Sequence, residues 1–283
     1  MSLPPNHILD RIMARKREEV AVARRERSAS SLLGQCTEVA PPRGFARAIQ
    51  ESVQRCRQQQ AVAAIIAEVK RGSPSKGVIH PEGEEGFAPE VIAQGYAAQG
   101  ATCISCLTDR DFFLGDDSYL QRIRERIELP VLRKDFLYDP YQVVQSRALG
   151  ADAILLIMAV LSTAQAQELE AAAGELALDV LVEVHDEAEL ERAHELRTPL
   201  LGINNRDLKT FATSLETSIR LAKRVEQGRC VVSESGILDA QDLLYLQQQS
   251  IHAFLIGEAL MRDRQPGEAL GRLLAACRAQ QSA

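Results

Sequence analysis

The feature that most constrains the fold of this chain is the alternation of two kinds of segment after about residue 61. Short β-branched or aliphatic runs alternate with longer amphipathic segments as far as the C-terminus, and several of the amphipathic segments end at a Gly, as helices often do. A repeated βα unit implies parallel strands with right-handed crossovers. The predicted strands are 65–70, 102–107, 130–134, 153–157, 180–184, 200–203, 230–233 and 253–256.

Eight βα units over roughly 220 residues predict an α/β fold, a closed (β/α)8 TIM barrel. The alternative is an open doubly wound sheet, which usually has fewer strands and often a Gly-rich dinucleotide turn after the first one. The sequence contains no G-x-G-x-x-G motif, so the barrel is the preferred prediction.

Residues 1–60 do not share this alternation. The stretch "ILDRIMARKREEVAVARRER" predicts a charged helix with Ile8, Leu9, Ile12 and Met13 on one side. We interpret 1–60 as an N-terminal helical extension packed on the barrel, in preference to a partner-binding arm, because a charged helix is usually a solvated face. The barrel is predicted at 61–283, and the two segments are expected to form a single domain.

Composition limits the classes of partner. The chain of 283 residues is 46% hydrophobic and 25% charged, and its net charge of −6 comes from interspersed acids and bases. This pattern offers no basic field for nucleic acid and no polybasic tract for a membrane surface, which leaves a small molecule as the default partner. Six scattered cysteines and no long apolar N-terminal stretch predict a soluble cytoplasmic protein. Cys103 and Cys106 form a C-x-x-C, but on one strand they point to opposite faces, which disfavours a shared redox or metal site.

Polar residues gather at the carboxyl ends of five predicted strands. Because side chains alternate along a strand, each polar residue points to the same face as the residue two positions away. TIM barrels build their active sites from these strand ends and the loops that follow. A structural ion pair explains any single position equally well, but five strands together predict a cavity in which acids and amines shift each other's pKa values. The residues predicted to converge are Glu68, Lys70, Lys134, Glu183 and Glu234, with Asn204 and Arg206 beside them, and His185 shares the face of Glu183.

A phosphate site is predicted next to this cavity. The loops "SESGI" and "IGEALM", after strands seven and eight, place Ser235, Gly236 and Gly257 just ahead of helical segments. Barrels bind phosphate there with backbone N–H groups, although Ser-Gly turns also occur merely to start helices. The loop "GSPSKG" after strand one adds Ser73, and taken alone it is typical of a flexible polar loop.

Seven motifs in order carry a resemblance to a known family: "EVKRGSPSKG", "LTDRDFFLG", "VLRKDF", "LVEVHD", "GINNRDL", "SESGI" and "IGEALM". From about residue 8 to about 275 the chain resembles the indole-3-glycerol phosphate synthase family of tryptophan biosynthesis. The resemblance implies a lyase that needs no cofactor and no metal. Its phosphorylated substrate, 1-(2-carboxyphenylamino)-1-deoxyribulose 5-phosphate, would become indole-3-glycerol phosphate with loss of CO2 and water.

The resemblance also implies roles for individual residues. Lys134 corresponds to the general acid toward the ribulose carbonyl, and Glu183 corresponds to the acid/base of the dehydration. Lys70, with Glu68 beside it, would hold the substrate carboxylate. The remaining matches are supporting polar residues at Asn204, Glu234 and Ser235, substrate or phosphate contacts at Ser73, Arg206, Gly236 and Gly257, and an apolar wall for the anthranilate ring at Phe112, Phe113 and Phe136.

Two positions depart from the family pattern. Gly72 lies where some relatives carry a larger or basic residue, so a phosphate contact from that side chain is absent. Glu258 lies where a small hydroxyl residue is common, so phosphate contact there is expected from the backbone alone.

Three other functions fit parts of the pattern. A Schiff-base barrel would use Lys70 or Lys134 as a nucleophile toward a sugar-phosphate carbonyl. An isomerase of the same pathway would need a Cys and Asp pair that the sequence does not offer. A barrel that only binds phosphorylated ligands, or partners through its helical arm, has little reason to bury two lysines among three carboxylates.

Overall fold

The barrel prediction is confirmed by a computed structural model that describes residues 8–81, 87–208 and 210–281. Eight parallel strands form a closed barrel in which each strand pairs with the next and the last pairs with the first. The predicted strand boundaries all lie within one residue of those observed. The strands are β1 Ala64–Val69, β2 Cys103–Leu107, β3 Val131–Lys134, β4 Ala153–Ile157, β5 Asp179–Val184, β6 Leu200–Asn204, β7 Cys230–Glu234 and β8 Ala253–Ile256.

Helices precede the barrel and follow its strands. Among the described residues, the loop after β1 also contains an antiparallel pair of two-residue strands, Gly72–Ser73 and Gly77–Val78. No helix in the described ranges is long and apolar enough to cross a membrane. The helices are α1 Ile8–Glu26, α2 Ala29–Cys36, α3 Phe45–Arg57, α4 Pro89–Ala98, α5 Asp117–Arg126, α6 Pro140–Ala148, α7 Thr163–Glu175, α8 Glu187–Ala193, α9 Glu216–Ala222, α10 Ala240–Gln248, α11 Glu258–Met261 and α12 Pro266–Gln281.

Side-chain caps fix where five of the helices that follow barrel strands begin. In each, the residue before the first turn accepts a hydrogen bond from a backbone N–H group of that turn, which is worth about 1 kcal/mol per helix. Three of these caps end loops that follow polar strand ends, those after β3, β5 and β7, so they also limit the length of those loops. The capping residues are Asp116, Asp139, Ser162, Asp186 and Asp239.

The sheet separates the two large clusters of the apolar core, an inner one and an outer one. The inner cluster fills the barrel with side chains such as Ile66, Leu132 and Leu155, whereas the outer cluster packs between strands and helices. Cys103 belongs to the inner cluster and Cys106 to the outer one, and both thiols are free. The predicted opposite orientation of these two cysteines is therefore confirmed.

Two of the helices before β1, α1 and α3, pack against opposite ends of the barrel. From α3, Phe45 and Ile49 enter the inner cluster, and the backbone N–H of Ala46 donates to Asp179 at the start of β5 over 2.9 Å. Ile12 and Met13 of α1 are buried in the same inner cluster. Residues 1–7 of the predicted extension lie outside the described residues.

Candidate active site

A cavity of about 560 Å³ lies at the carboxyl ends of the barrel strands. Thirteen of the fourteen predicted site residues line it. Phe112 does not line the cavity and packs against the inner core cluster instead, so its place in the ring-binding wall stays a prediction. The thirteen are Glu68, Lys70, Ser73, Phe113, Lys134, Phe136, Glu183, Asn204, Arg206, Glu234, Ser235, Gly236 and Gly257.

The amine of Lys134 lies between two buried carboxyl groups. It projects from the end of β3, and its Nζ is 3.1 Å from Oε2 of Glu183 and 3.6 Å from Oε2 of Glu234. Burial lowers the pKa of Lys134, but the nearby carboxylates, chiefly Glu183, outweigh burial and hold the pKa above its ordinary value. The side chain is therefore an ammonium group at neutral pH, able to donate a proton within the cavity.

The two glutamates beside Lys134 have opposite pKa shifts. Burial alone would raise the pKa of Glu183, but Lys134 and His185 reverse this effect and lower it. Burial raises the pKa of Glu234 to about 8, and repulsion by Glu183 adds to the shift although Lys134 opposes it. Near neutral pH, the amine of Lys134 thus has one ionised and one protonated glutamate beside it, an arrangement that suits acid/base catalysis.

The ionised Glu183 has further partners that hold its carboxylate. Asn204 donates from Nδ2 to Oε1 of Glu183 over 3.2 Å, and Nε2 of His185 lies 3.3 Å from the same oxygen. Nδ1 of His185 is 3.0 Å from Oε2 of Glu189. Burial lowers the pKa of His185, but the two carboxylates raise it to about 10, so the ring is an imidazolium near neutral pH. The sequence placed His185 on the face of Glu183 and gave it no role.

Two glycines make room for the buried carboxyl groups. A Cβ at Gly202 on β6 would lie 2.2 Å from Oε1 of Glu234, and a Cβ at Gly257 would lie 2.3 Å from Oε2 of Glu68. Glu68 in turn pairs with Lys70, whose Nζ is 2.5 Å from Oε2. The role of Gly202 was missed, although a glycine inside a strand is itself a signal of close approach by another group.

The predicted phosphate end of the cavity contains several cations around one carboxylate. Glu258 accepts from Arg206 over 3.0 Å, and Lys76 and Arg262 lie 3.7 and 2.5 Å from its other oxygen. From the sequence, only a backbone contact with phosphate was expected at Glu258, and these three ion pairs were not predicted. The three cations, Lys76, Arg206 and Arg262, outnumber the one carboxylate and supply positive charge around the predicted phosphate position.

Tight backbone packing shapes two loops at the same end. Gly236 has a φ of 77°, and a Cβ there would also lie 2.5 Å from Cγ2 of Thr213. At Gly72, a Cβ would come within 2.8 Å of the carbonyl oxygen of Gly77 and of Leu114. Some relatives carry a larger residue at position 72, but in this chain the short hairpin leaves no space there for a side chain.

The apolar side of the cavity combines loop aromatics with the first helix. The rings of Phe113 and Phe136 are 6.0 Å apart between centroids and tilted by 39°. Ile8, Leu9 and Ile12 of α1 also line the cavity. The sequence predicted this apolar face of α1 but assigned it only to packing on the barrel.

Comparison with known proteins identifies the family. The family model for indole-3-glycerol phosphate synthase matches residues 9–273. The indole-3-glycerol phosphate synthase of Magnetococcus marinus is 58% identical over 267 residues, which cover 94% of this chain and 97% of the relative. That of Bordetella pertussis is 49% identical over 270 residues, 95% of this chain and 100% of the relative.

A solved structure shows the same fold at low identity. Tryptophan synthase subunit alpha from Legionella pneumophila has a TM-score of 0.59 and 14% identity, and the match covers 85% of this chain and 98% of that one. This likeness supports the barrel alone, whereas the family match confirms the resemblance that the seven motifs indicated. The chain belongs to the indole-3-glycerol phosphate synthase family.

Proposed function

We propose that this protein converts 1-(2-carboxyphenylamino)-1-deoxyribulose 5-phosphate into indole-3-glycerol phosphate, CO2 and water. The observation that carries the proposal is the buried ammonium of Lys134, held between Glu183 and Glu234 in one cavity with aromatic and cationic walls. The substrate has an aromatic ring, a carboxylate, a carbonyl and a phosphate. Each of these groups has a chemical counterpart in that cavity.

The first chemical step joins the aromatic ring to the sugar chain. The ring carbon that bears the carboxylate attacks the ribulose carbonyl carbon, and Lys134 donates its proton to the carbonyl oxygen. The bond to the carboxylate then breaks, CO2 leaves, and the electron pair of that bond restores the aromatic ring. Lys70 faces the carboxylate before it leaves, and its pairing with Glu68 limits the movement of the amine.

The second step removes water and forms the double bond of the five-membered ring. The new hydroxyl leaves as water after protonation, while a proton is lost from the adjacent carbon. Glu183 is ionised in the free site and is suited to accept that proton, and the protonated Glu234 supplies a donor nearby. Because a carboxylate is lost as neutral CO2, each turnover consumes one proton from solvent.

Phosphate binding is assigned to the cationic end. Arg206 and the backbone N–H groups at Gly236 and Gly257 are the proposed contacts, with Ser73 as a hydroxyl donor from the loop after β1. The phosphate must compete with Glu258 for Arg206, because the carboxylate of Glu258 is 3.0 Å from the guanidinium group of Arg206.

The charge state of Lys134 argues against the Schiff-base alternative. A lysine attacks a carbonyl only as a neutral amine, whereas the carboxylates around Lys134 raise its pKa and keep it protonated. Borohydride added during turnover tests this distinction. A stable lysine adduct would contradict the acid role, and the absence of an adduct supports it.

The direct test is a fluorescence assay for the indole product, started by adding the carboxyphenylamino substrate to the purified chain. We expect product formation by the wild-type protein, and no product from Lys134→Ala. A barrel that only binds phosphorylated ligands would instead show saturable binding without product, which would refute the proposed function.

A further inference from the structure

We infer that Lys16, on the first helix, is a positioning residue that sets the aromatic wall of the active site. The inference rests on the proposed function, because the wall would receive the anthranilate ring of the substrate. Lys16 itself does not line the cavity. It acts through two aspartates, each of which is bonded to the backbone of a wall phenylalanine.

The amine of Lys16 is buried between acidic side chains from separate loops. Lys16 is 4% exposed, and its Nζ is 3.0 Å from Oδ2 of Asp109 and 2.9 Å from Oδ1 of Asp135. Both aspartates are also buried, and Glu19 on the same helix is 2.7 Å from the amine. One ammonium group therefore bridges the loop after β2, the end of β3 and helix α1.

The two aspartates that contact Lys16 also accept hydrogen bonds from the backbone of the wall phenylalanines. Oδ1 of Asp109 accepts the backbone N–H of Phe113 over 3.3 Å, and Oδ1 of Asp135 accepts that of Phe136 over 2.8 Å. The ring centroids of these two phenylalanines are 6.0 Å apart, and both side chains line the cavity. On each side, one ion pair and one backbone hydrogen bond link Lys16 to a wall phenylalanine, so Lys16 limits the separation of the two rings.

Residues close in sequence to this bridge, Lys134 and Ile12, also line the cavity. Asp135 directly follows Lys134, so a shift of its carboxylate also moves the backbone that carries the proposed general acid. Ile12 lies one helical turn before Lys16 and contributes its side chain to the cavity. Displacement of the bridge would therefore disturb the ring-binding wall from three sides.

The energetics favour a positioning role over a purely stabilising one. Taking a lysine and two carboxylates out of water is expensive, and well-packed apolar residues in place of such a group are often as stable or more so. A buried ionic bridge does, however, fix geometry, because each bond has a preferred length and direction. Burial lowers the pKa of Lys16, but Asp135 and Asp109 outweigh it and raise the pKa, so the bridge keeps its charge throughout the neutral range.

The test compares Lys16→Met with Lys16→Arg and with a matched control, Arg17→Met, at an exposed position of the same helix. We expect Lys16→Met to raise KM for the carboxyphenylamino substrate at least about tenfold, in line with the effect of misplaced binding groups. Lys16→Arg should recover part of that loss, and Arg17→Met should remain within about twofold of wild type.

Inhibition by inorganic phosphate separates local positioning from general damage. Phosphate probes the end around Arg206, which the bridge does not contact, so its inhibition constant should be unchanged in Lys16→Met. Equal losses in substrate KM and phosphate inhibition would indicate a structural defect and would overturn the inference. A KM within twofold of wild type in the folded variant would overturn it as well.

Two further outcomes keep this inference distinct from the proposed function. If Lys16→Met does not fold, Asp109→Asn is used instead, because it removes one of the carboxylates that bind Lys16. Its substrate KM and its inhibition constant for phosphate are then measured. Absence of turnover by the wild-type chain overturns the proposed function, and this inference with it. Normal wild-type turnover with unchanged constants in both variants overturns this inference alone.

Discussion

Replacement of Gly202 by alanine tests whether the position of the Glu234 carboxyl group matters for catalysis. The backbone at Gly202 does not have a positive φ, so alanine meets no conformational barrier there and acts only through its added methyl group. That methyl group would lie 2.2 Å from Oε1 of Glu234. The substitution therefore displaces a proposed proton donor without removing it.

The size of the effect follows from the geometry. Contacts of a Cβ below 3.0 Å essentially do not occur, so the carboxyl oxygen must withdraw by about 1 Å. The other oxygen of Glu234 is already 3.6 Å from Nζ of Lys134, so the withdrawal disturbs this contact directly. A displacement of about 1 Å at a reacting group costs roughly 100-fold in kcat, and overpacking a core costs about 1–3 kcal/mol of stability.

The assay measures kcat by indole fluorescence and Tm by thermal unfolding. Gly174→Ala is the matched control, since Gly174 lies in α7 with nothing within 4 Å of its added Cβ, and alanine should stabilise that helix by about 0.5–1 kcal/mol. In a Glu234→Ala background the clashing carboxyl group is gone, so adding Gly202→Ala should lower kcat by less than about threefold further. A kcat for Gly202→Ala within threefold of wild type would refute the positional argument.

Three further predictions concern the same cavity. Lys134→Ala should abolish kcat while substrate affinity, measured by direct titration, stays within about fivefold, because the amine acts mainly in the transition state. Arg206→Ala should raise KM in steady-state assays with a smaller change in kcat, because it removes a proposed phosphate contact; an unchanged KM would place the phosphate elsewhere. In pH profiles, kcat/KM should fall as pH rises through about 8, where Glu234 loses its proton, and a flat profile to pH 9 would contradict the donor role.

The sequence predicted the barrel because the βα alternation is a strong local signal, and the period of two within each strand then gave the inward face. Glu68, Lys134 and Glu183 could be assigned to one cavity from that period together with their positions at the carboxyl ends of barrel strands. The second layer of contacts was not predictable in this way, because it joins loops that are distant in the chain. The burial of Lys16 against Asp109 and Asp135 is one such case, as the charged pattern of the first helix is equally typical of a solvated face.

Glu258 illustrates a different reason for a missed prediction. Its residue type departs from the hydroxyl expected at that position, and the sequence alone indicated only the loss of a phosphate contact. The structure shows that its carboxylate binds Arg206 and two other cations, which holds them near the cavity but gives the phosphate a competitor. When a residue differs from the family pattern, the charges around it decide whether an interaction is lost or gained. For Glu258 those charges come partly from other loops.

The protonation states of the cavity are also connected to the overall proton balance of the proposed reaction. One proton is consumed per turnover because the substrate carboxylate leaves as CO2, and the free site already stores a proton on Glu234 at neutral pH. Binding of an anionic substrate adds negative charge nearby, which makes ionisation of Glu234 still less favourable. Glu183, held ionised by Lys134 and His185, cannot fill this role, since its pKa is shifted in the opposite direction. The two glutamates therefore differ in their proposed tasks because of their neighbours and not because of their residue type.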